Sequence, residues 1–249
     1  MGNIISVSNH KGGVGKTTTT VNIGAALAVL GHKVLLIDLD PQANLSQSLG
    51  LEGKEPNIYQ LLKGEGKPSP VNVAERLDVI PSSLDLSGAE VELAGEAGRE
   101  YILEEILQPL KFRYDYILID CPPSLGLLTI NALTASEEVL IPIQPHYLAA
   151  QGLSKLLEVV EKVRKRLNKR LKVGSILITL YDGRKVLNRD VLEALEGRFP
   201  NELLKTRIRE NIALAEAPTG AVDIFRYAPK SNGAEDYLAA GRELLEKMK

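Results

Sequence analysis

The sequence has few of the features that mark secreted or membrane-spanning proteins. Its 249 residues include one cysteine, so no internal disulfide can form, and a reducing compartment is expected. No apolar run reaches the roughly 20 residues that a membrane-spanning helix requires. The N-terminal stretch IISVS is strand-like and does not resemble a signal peptide, which favours a cytoplasmic protein.

The chain also lacks a strong overall charge, because 30 basic and 32 acidic residues give a formal net charge of −2. Any binding of nucleic acid must therefore come from a local basic surface. Hydrophobic residues make up 44% of the chain, which is enough for a sizeable core. No long low-complexity linker divides the chain, so we expect a single domain over residues 1–249.

Short apolar runs rich in Ile, Leu and Val alternate with helix-length segments. The runs predict six buried strands, NIISVS, KVLLIDLD, RLDVIPS, YDYILIDCPP, EVLIPIQP and KVGSILITLYD. The predicted helices include residues 16–30, 126–135, 151–167 and 186–198. This alternation predicts an α/β fold with a mainly parallel, twisted sheet and helices on both faces. The Gly- and Pro-rich segment LLKGEGKPSPVN predicts an exposed excursion within the same domain.

The clearest motif is KGGVGKTT, which follows the first predicted strand and opens the first predicted helix. Glycines let backbone N–H groups point at an anion, and the helix N-terminus adds partial positive charge. Such a loop binds nucleotide phosphates, with Lys16 on the β- and γ-phosphates and the Thr17 hydroxyl on Mg²⁺. The motif departs from the common spelling in having His10 at its first position and an additional lysine, Lys11. The predicted nucleotide contacts in this loop are Gly12, Gly13, Val14, Gly15, Lys16, Thr17 and Thr18.

Three acidic residues stand where predicted strands end. Asp38 and Asp40 close the run VLLIDLD and share one face of the strand, while Asp120 closes YILID. Ligands of such sheets bind beyond the carboxyl ends of the strands, so the three carboxylates are expected to meet there. A carboxylate after a hydrophobic strand holds or polarises the hydration shell of Mg²⁺ in nucleotide sites. The sequence therefore predicts a site for a magnesium-bound nucleotide.

The segments KGGVGKTTTT, LLIDLDPQAN and YILIDCPPS resemble those of the deviant Walker-A ATPases, the superfamily of ParA/Soj and MinD. The likeness continues through PSSLDLSGAEVELA, NALTASEEVLIPIQPHYLAAQGL, ILITLYDGR and YAPKSNGAEDYLAAGREL, so it covers essentially the whole chain. Its extent and order favour the branch that partitions chromosomes and plasmids. The resemblance implies a P-loop NTPase fold, ATP and Mg²⁺ as cofactors, and hydrolysis of ATP to ADP and phosphate.

The resemblance also implies roles for individual residues. Lys11 corresponds to the signature lysine of the family, which reaches the partner's nucleotide in an ATP-bound sandwich homodimer and acts in catalysis with Lys16. Asp40 is expected to orient the attacking water, whereas Asp38 and Asp120 are expected to serve the Mg²⁺. A C-terminal loop similar to the family's adenine-side loop adds three nucleotide contacts, Ile208, Arg209 and Pro218.

The second half of the chain carries a local excess of basic residues, notably in KVRKRLNKRLK. Such a surface can hold DNA phosphates without reading the base sequence, and the alternative is a solvated helix face. Arg184, in YDGR, matches a family arginine linked to DNA binding. The resemblance breaks where Glu210 and Ala213 replace two family arginines, so the expected DNA surface is rearranged. The expected DNA contacts are Arg184, Lys185, Arg189 and Arg209.

By resemblance to ParA/Soj, the ATP-bound homodimer binds nonspecific DNA on the nucleoid and is released when a ParB-like adaptor stimulates slow hydrolysis. This cycle would position a chromosome or a plasmid. The alternatives are a protein cargo, such as an organelle or a receptor cluster, and a MinD-like membrane switch. The tail AEDYLAAGRELLEKMK lacks a strongly basic face, so we expect a helix docked on the core. A metabolic kinase or ligase would need an acceptor pocket, which the sequence does not locate.

Two further residues beside these motifs have more than one interpretation. His10 is either a spacer in the loop, which we favour, or a contact to the nucleotide or the partner subunit. Cys121, in DCPP, is expected to be a small buried residue, and its isolation argues against the related iron–sulfur reductases. Pro122 and Pro123 end the strand and shape a loop that can sense the γ-phosphate.

Overall fold

The computed structural model describes residues 2–146 and 149–248. The strands are β1 (Asn3–Val7), β2 (Val34–Asp38), β3 (Val71–Ala74), β4 (Leu77–Ile80), β5 (Tyr116–Asp120), β6 (Glu138–Ile143), β7 (Lys172–Tyr181) and β8 (Leu203–Arg209). The α-helices are α1 (Lys16–Val29), α2 (Asn44–Ser48), α3 (Ile58–Leu62), α4 (Ala89–Glu92), α5 (Ile102–Leu107), α6 (Leu127–Ala135), α7 (Ala149–Arg166), α8 (Val186–Arg198), α9 (Ile212–Glu216), α10 (Ile224–Tyr227) and α11 (Asn232–Lys247). Short 3₁₀ segments cover Leu84–Gly88, Leu93–Gly95, Leu110–Phe112 and Ala217–Gly220. Tyr147 and Leu148, which fall in one of the family-like segments, lie outside the described residues, as do Met1 and Lys249.

All eight strands form one sheet in the order β3-β4-β2-β5-β1-β6-β7-β8. The strands pair in parallel except for β3, which runs antiparallel to β4 at the edge. The register places Asp120 of β5 opposite both Val7 of β1 and Asp38 of β2. The carboxyl ends of the central strands therefore meet at one edge of the sheet, where the phosphate loop also begins.

Helices cover both faces of the sheet. Along β5, Leu118 packs with α1 and α11 in one core cluster, whereas Ile117 and Ile119 pack with α5 and α6 on the opposite face. On that second face, α7 and α8 cover β6 and β7 in a third cluster. Successive side chains of a strand point to opposite faces, which explains the continuous apolar runs in the central strands. The predicted α/β fold with a mainly parallel sheet is confirmed.

The sequence pattern missed two strands, and both lie at the edges of the sheet. In β3 every residue is at least partly exposed, and β8 carries Lys205 and Arg207 among its apolar residues. An edge strand has one neighbour and needs less apolar surface, so its sequence carries a weak periodic signal. The four helices predicted by their bounds agree with α1, α6, α7 and α8 to within two residues at each end.

The C-terminal helix α11 docks on the core, as the tail sequence predicted. Tyr237, Ala240 and Leu244 are each at most 1% exposed and pack in the same cluster as α1. None of the described helices is both long and apolar enough to cross a membrane.

Candidate functional site

The phosphate loop has an open backbone that suits an anion. Gly13 and Gly15 have φ values of 74° and 80°, in the left-handed region that residues with a Cβ rarely adopt. A Cβ built on Gly12 or Gly13 meets no other atom within 4 Å, so the loop faces open space. The helix α1 begins directly after the loop, and its first turn supplies unpaired N–H groups and partial positive charge. These features match those expected for a phosphate cradle.

A cavity of about 740 Å³ lies over this loop and is large enough for a nucleotide. At one end it is lined by Gly12, Gly13, Gly15, Lys16, Thr17 and Thr18 from the loop and the start of α1. Asp40 and Pro123 reach the same cavity from the segments that follow β2 and β5. The cavity therefore joins phosphate-binding groups to residues at the carboxyl ends of two neighbouring strands.

Lys16 lies at the base of the phosphate end. Its ammonium donates a hydrogen bond to the Lys11 carbonyl oxygen at 3.2 Å, and the residue is 8% exposed. Burial lowers the pKa of Lys16, whereas the nearby Asp120 and Asp40 carboxylates oppose that change. A phosphate group would offer this ammonium a stronger acceptor than a neutral carbonyl oxygen.

Asp120 is fully buried beside the first turn of α1. It accepts hydrogen bonds from the hydroxyls of Thr17, at 2.7 Å, and Thr20, at 3.2 Å. Burial raises the pKa of Asp120 to about 8, and the neighbouring Asp38 carboxylate adds to the rise. A divalent cation beside Thr17 would stabilise the charged carboxylate, so these residues fit the predicted Mg²⁺ site.

The two acidic residues that follow β2 face different surroundings. Asp38 is fully buried and accepts hydrogen bonds from the Ser46 N–H at 2.8 Å, the Ser46 hydroxyl at 2.7 Å and the Asp40 N–H at 3.2 Å. Burial raises the pKa of Asp38 to about 6, although the bonds from Ser46 oppose the rise. Asp40 instead lines the cavity, with one carboxylate oxygen accepting from the Gln42 N–H at 3.0 Å. Asp38 thus holds the turn that presents Asp40 to the cavity, and like Asp120 it does not itself line the cavity.

Lys11 stands apart from the cavity of its own chain. Its N–H donates to the Asn9 side-chain oxygen at 3.0 Å, which fixes the backbone, while the side chain is partly exposed. Within residues 2–146 and 149–248, no carboxylate pairs with the Lys11 ammonium. Val14 is also absent from the lining, because its side chain is buried and its carbonyl accepts from Thr179 at 2.8 Å.

The predicted adenine-side residues divide into one that lines the cavity and two that do not. Pro218 lines it, whereas Ile208 is 2% exposed within the core, and Arg209 is bound to Asp236 on α11. Ile208 and Arg209 therefore do not line the cavity, and their contact with the nucleotide stays a prediction. Sequence reasoning missed the apolar residues that complete this end, Val21, Leu180, Leu214, Ala217 and Val222. Leu214 and Ala217 lie in the loop that the family resemblance marked, but Leu180 and Val222 carried no sequence signal.

The four expected DNA contacts lie near the carboxyl ends of β7 and β8, and all have partners within the chain. Arg184 is paired with Asp182 through two hydrogen bonds of 2.9 Å, and these bonds lower the pKa of Asp182 to about 2. The other three contacts are Lys185 to Glu210 at 3.1 Å, Arg189 to the Gly183 carbonyl at 3.0 Å, and Arg209 to Asp236 at 2.6 Å. The positive charge of this surface is therefore partly balanced by carboxylates. Glu210, which stands where the family resemblance implies an arginine, is one source of that balance.

The basic run KVRKRLNKRLK ends α7 and leads into β7, and it is also partly compensated. Arg164 and Lys165 pair with Glu161, at 2.7 and 3.2 Å, on the exposed face of the helix. Arg170 pairs with Glu104 at 3.6 Å, and Lys172 pairs with Glu138 at 2.9 Å. The pattern matches a solvated helix face with mixed charge, the alternative interpretation of this run.

His10 contacts the loop that follows β5. Its Nδ1 lies 3.2 Å from the Pro123 carbonyl oxygen, in the loop that follows β5. The interpretation of His10 as a spacer stays a prediction. Cys121, at the start of the same loop, is fully buried, as predicted.

Comparison with known proteins gives a consistent result across the chain. The model of the AAA domain family matches residues 2–173. Soj, the sporulation initiation inhibitor protein of Bacillus subtilis, is 47% identical over 98% of both chains, and the chromosome-partitioning ATPase Soj of Treponema pallidum is 44% identical over 98% of both. A crystal structure of cobyrinic acid a,c-diamide synthase from Mycobacterium smegmatis, with bound ADP and magnesium, is 38% identical. It matches with a TM-score of 0.88 and covers 100% of this chain and 96% of that one.

Proposed function

This chain is an ATPase of the Soj/ParA family with ATP and Mg²⁺ as cofactors, and on that premise we propose that it drives the partition of chromosomes or plasmids. The observation that carries the proposal is the similarity to Soj over 98% of both chains. The isolated position of Lys11 supports it, since that lysine lies outside the cavity of its own chain.

Within the ATP site, each side chain has a role that follows from its position. Bound Mg²⁺ supplies positive charge to the phosphates, and Thr17 and Asp120 would hold it. Lys16 binds the phosphates from the base of the cavity, and Asp40 orients the attacking water from its edge. Phosphoryl transfer depends mainly on positioning and electrostatics, so one carboxylate near the water suits slow turnover.

Dimerisation would explain why Lys11 is partly exposed on a fixed backbone. In a sandwich of two copies, the Lys11 ammonium reaches the nucleotide of the partner subunit and adds positive charge to its phosphates. A cation supplied in this way makes hydrolysis depend on the dimer, and bound ATP in turn stabilises the dimer. Bound ATP then holds the two subunits together until it is hydrolysed.

Nonspecific DNA is the surface on which the clamped dimer acts. Arg184, Lys185 and Arg189 lie together at the start of α8, and a dimer would present two copies of this group. Contacts to phosphates give an affinity that falls steeply as salt rises. Hydrolysis, stimulated by a ParB-like adaptor, separates the dimer and releases the DNA.

The membrane-bound alternative would need a free amphipathic helix at the C-terminus. The apolar residues of α11 instead pack in the core of the chain, where Tyr237 and Leu244 are each 1% exposed. This packing favours DNA over a lipid surface as the partner of the ATP-bound dimer. The nature of the cargo, whether DNA or a protein assembly, depends on the adaptor.

The similarity to the cobyrinic acid a,c-diamide synthase of Mycobacterium smegmatis introduces an amide-forming synthase as a second candidate. Such an enzyme transfers phosphate to an acceptor acid, so its ATP turnover requires that acceptor. Phosphate release from ATP and Mg²⁺ alone, with no carboxylic acid or ammonia present, supports the partition ATPase. Turnover that appears only with both co-substrates would favour the synthase.

The main experiment is fluorescence anisotropy of a labelled random DNA duplex titrated with the Asp40→Ala protein. Titrations in Mg-ATP and in Mg-ADP, at low and physiological salt, should show binding in ATP that weakens with salt. Arg184→Glu should abolish binding, whereas Arg113→Glu, an exposed arginine at the opposite end of the sheet, should lower it far less. Absence of binding in every state, together with ATP-dependent sedimentation with anionic liposomes, would replace the DNA proposal with the membrane one.

A further inference from the structure

His10 forms a contact that neither the nucleotide site nor the DNA surface explains. Its Nδ1 lies 3.2 Å from the carbonyl oxygen of Pro123, which is 113 residues away in the sequence. A carbonyl oxygen can only accept, so His10 Nδ1 must carry the proton and donate it. The imidazole therefore connects the segment before the phosphate loop to the loop after Asp120.

The segment that carries His10 is braced on its other side. The Asn9 amide donates to the Pro142 carbonyl at 2.8 Å, and its oxygen accepts from the Lys11 N–H at 3.0 Å. The Lys11 carbonyl also accepts from Lys16 at 3.2 Å. Asn9 thus fixes this backbone to β6, and His10 fixes it to the loop that follows β5.

The loop that contains Pro123 is held at both ends by contacts from helices. Asp120 accepts hydrogen bonds from Thr17 and Thr20 of α1, and the Ser124 carbonyl accepts from the Thr129 hydroxyl of α6 at 2.6 Å. Pro123 stands between these anchors and lines the ATP cavity. The His10 contact thus fixes the position of Pro123, in the wall of the cavity, relative to the segment that carries Lys11.

We propose that His10 is a positioning residue for ATP hydrolysis, acting through its hydrogen bond to the Pro123 carbonyl. The bond fixes the Lys11 segment relative to the cavity wall at which the phosphate end of the nucleotide lies. His10 itself does not line the cavity, so it contributes to turnover and not to nucleotide affinity. Loss of one ordinary hydrogen bond should lower kcat about fivefold.

The test compares His10→Leu with His10→Gln in the full chain, by steady-state phosphate release at varied Mg-ATP. Leucine removes the donor, so kcat should fall about fivefold with KM unchanged, whereas glutamine retains an N–H donor and should restore kcat. His32→Leu is the matched control, since His32 contacts Tyr116 and Asp115 away from the ATP cavity. An unchanged kcat in His10→Leu, a change in KM alone, or failure of glutamine to restore turnover would each overturn the proposal.

A second measurement tests the bond without any substitution at His10. Long-range ¹H–¹⁵N correlation spectra of the wild-type chain, at a pH where the imidazoles are neutral, should show the Nδ1–H tautomer for His10. The Nε2–H tautomer would exclude the proposed donor. The inference rests on the proposed role of Lys11, so Lys11→Ala is assayed in parallel. Wild-type turnover in Lys11→Ala would refute that role and leave the tautomer result as a separate test of the bond.

Discussion

Replacing Glu210 with glutamine is expected to strengthen the binding of nonspecific DNA by the ATP-bound protein. The Glu210 carboxylate lies 3.1 Å from the Lys185 ammonium, and both side chains are more than half exposed, at 62% and 53%. Asp182 is farther from the same ammonium, at 3.9 Å, and is already held by Arg184. Glutamine keeps the length of the side chain but removes its charge. Lys185 then becomes available to a DNA phosphate.

The size of the effect follows from counterion release. Each new phosphate contact makes the slope of log K against log salt concentration more negative by about 0.9, which strengthens binding about eightfold at ~0.1 M salt relative to ~1 M. A dimer that gains two contacts would show twice that change in slope. Exposed ion pairs add little to stability, so the midpoint of thermal unfolding should not move.

The assay is DNA anisotropy in Mg-ATP across a salt series, with Asp40→Ala present in every protein to prevent hydrolysis. Glu75→Gln is the matched control, because it removes the same charge from a side chain that is 92% exposed near the amino end of β4. Equal strengthening by both variants would attribute the effect to net charge alone. An unchanged salt slope in the Glu210 variant would refute the placement of Lys185 on DNA.

Four further predictions follow from the site and the core. Asp40→Ala should bind ATP and trap the dimer without hydrolysis, and phosphate release at the wild-type rate would refute the role of Asp40. Lys16→Ala should lose binding of a fluorescent ATP analogue altogether, and retained affinity would contradict its place on the phosphates. Lys11→Ala should bind ATP but remain a monomer in light scattering, and an ATP-dependent dimer would contradict its role in trans. In Gly24→Ala the new Cβ would lie 2.5 Å from Leu36 Cδ2, so overpacking of about 2 kcal/mol should exceed the ~1 kcal/mol gain in helix propensity. A urea titration should show lower stability, and an unchanged midpoint would refute the tight packing.

The sequence predicted the phosphate end of the site because its residues are close in the chain. The segment from β1 through the glycines to α1 is one local unit, and its glycine positions report the required backbone directly. The meeting of Asp120 with Thr17 also followed, since strands that end in acids place them at the carboxyl edge of a parallel sheet. The pattern did not distinguish Asp38 from Asp40. Their environments differ because Ser46 of α2 caps only Asp38, a tertiary contact that sequence spacing does not report.

The adenine side of the cavity and the ion pairs of the predicted DNA contacts depend on contacts between segments that are distant in the sequence. Leu180 and Val222 are 42 residues apart in numbering, and both line the cavity only because the fold brings β7 and the segment before α10 to it. Arg209 was assigned to nucleotide and DNA by resemblance, yet Asp236 of α11 binds it through several hydrogen bonds. Propensity and periodicity describe elements one at a time, so they do not identify such partners.

The balance of charge on the proposed DNA surface would give a physical reason for an affinity for DNA that depends on ATP. Arg184 and Lys185 are paired with carboxylates, so each contact to a phosphate must replace an existing ion pair and gains less than a free cation would. One copy of this surface is therefore expected to bind DNA weakly at physiological salt. Two copies held rigidly in one dimer add their contacts without a second loss of translational freedom, so affinity rises far more than twofold. A weak surface on each subunit would thus make the difference in DNA affinity between monomer and dimer large, and hydrolysis of ATP would then be sufficient to release the DNA.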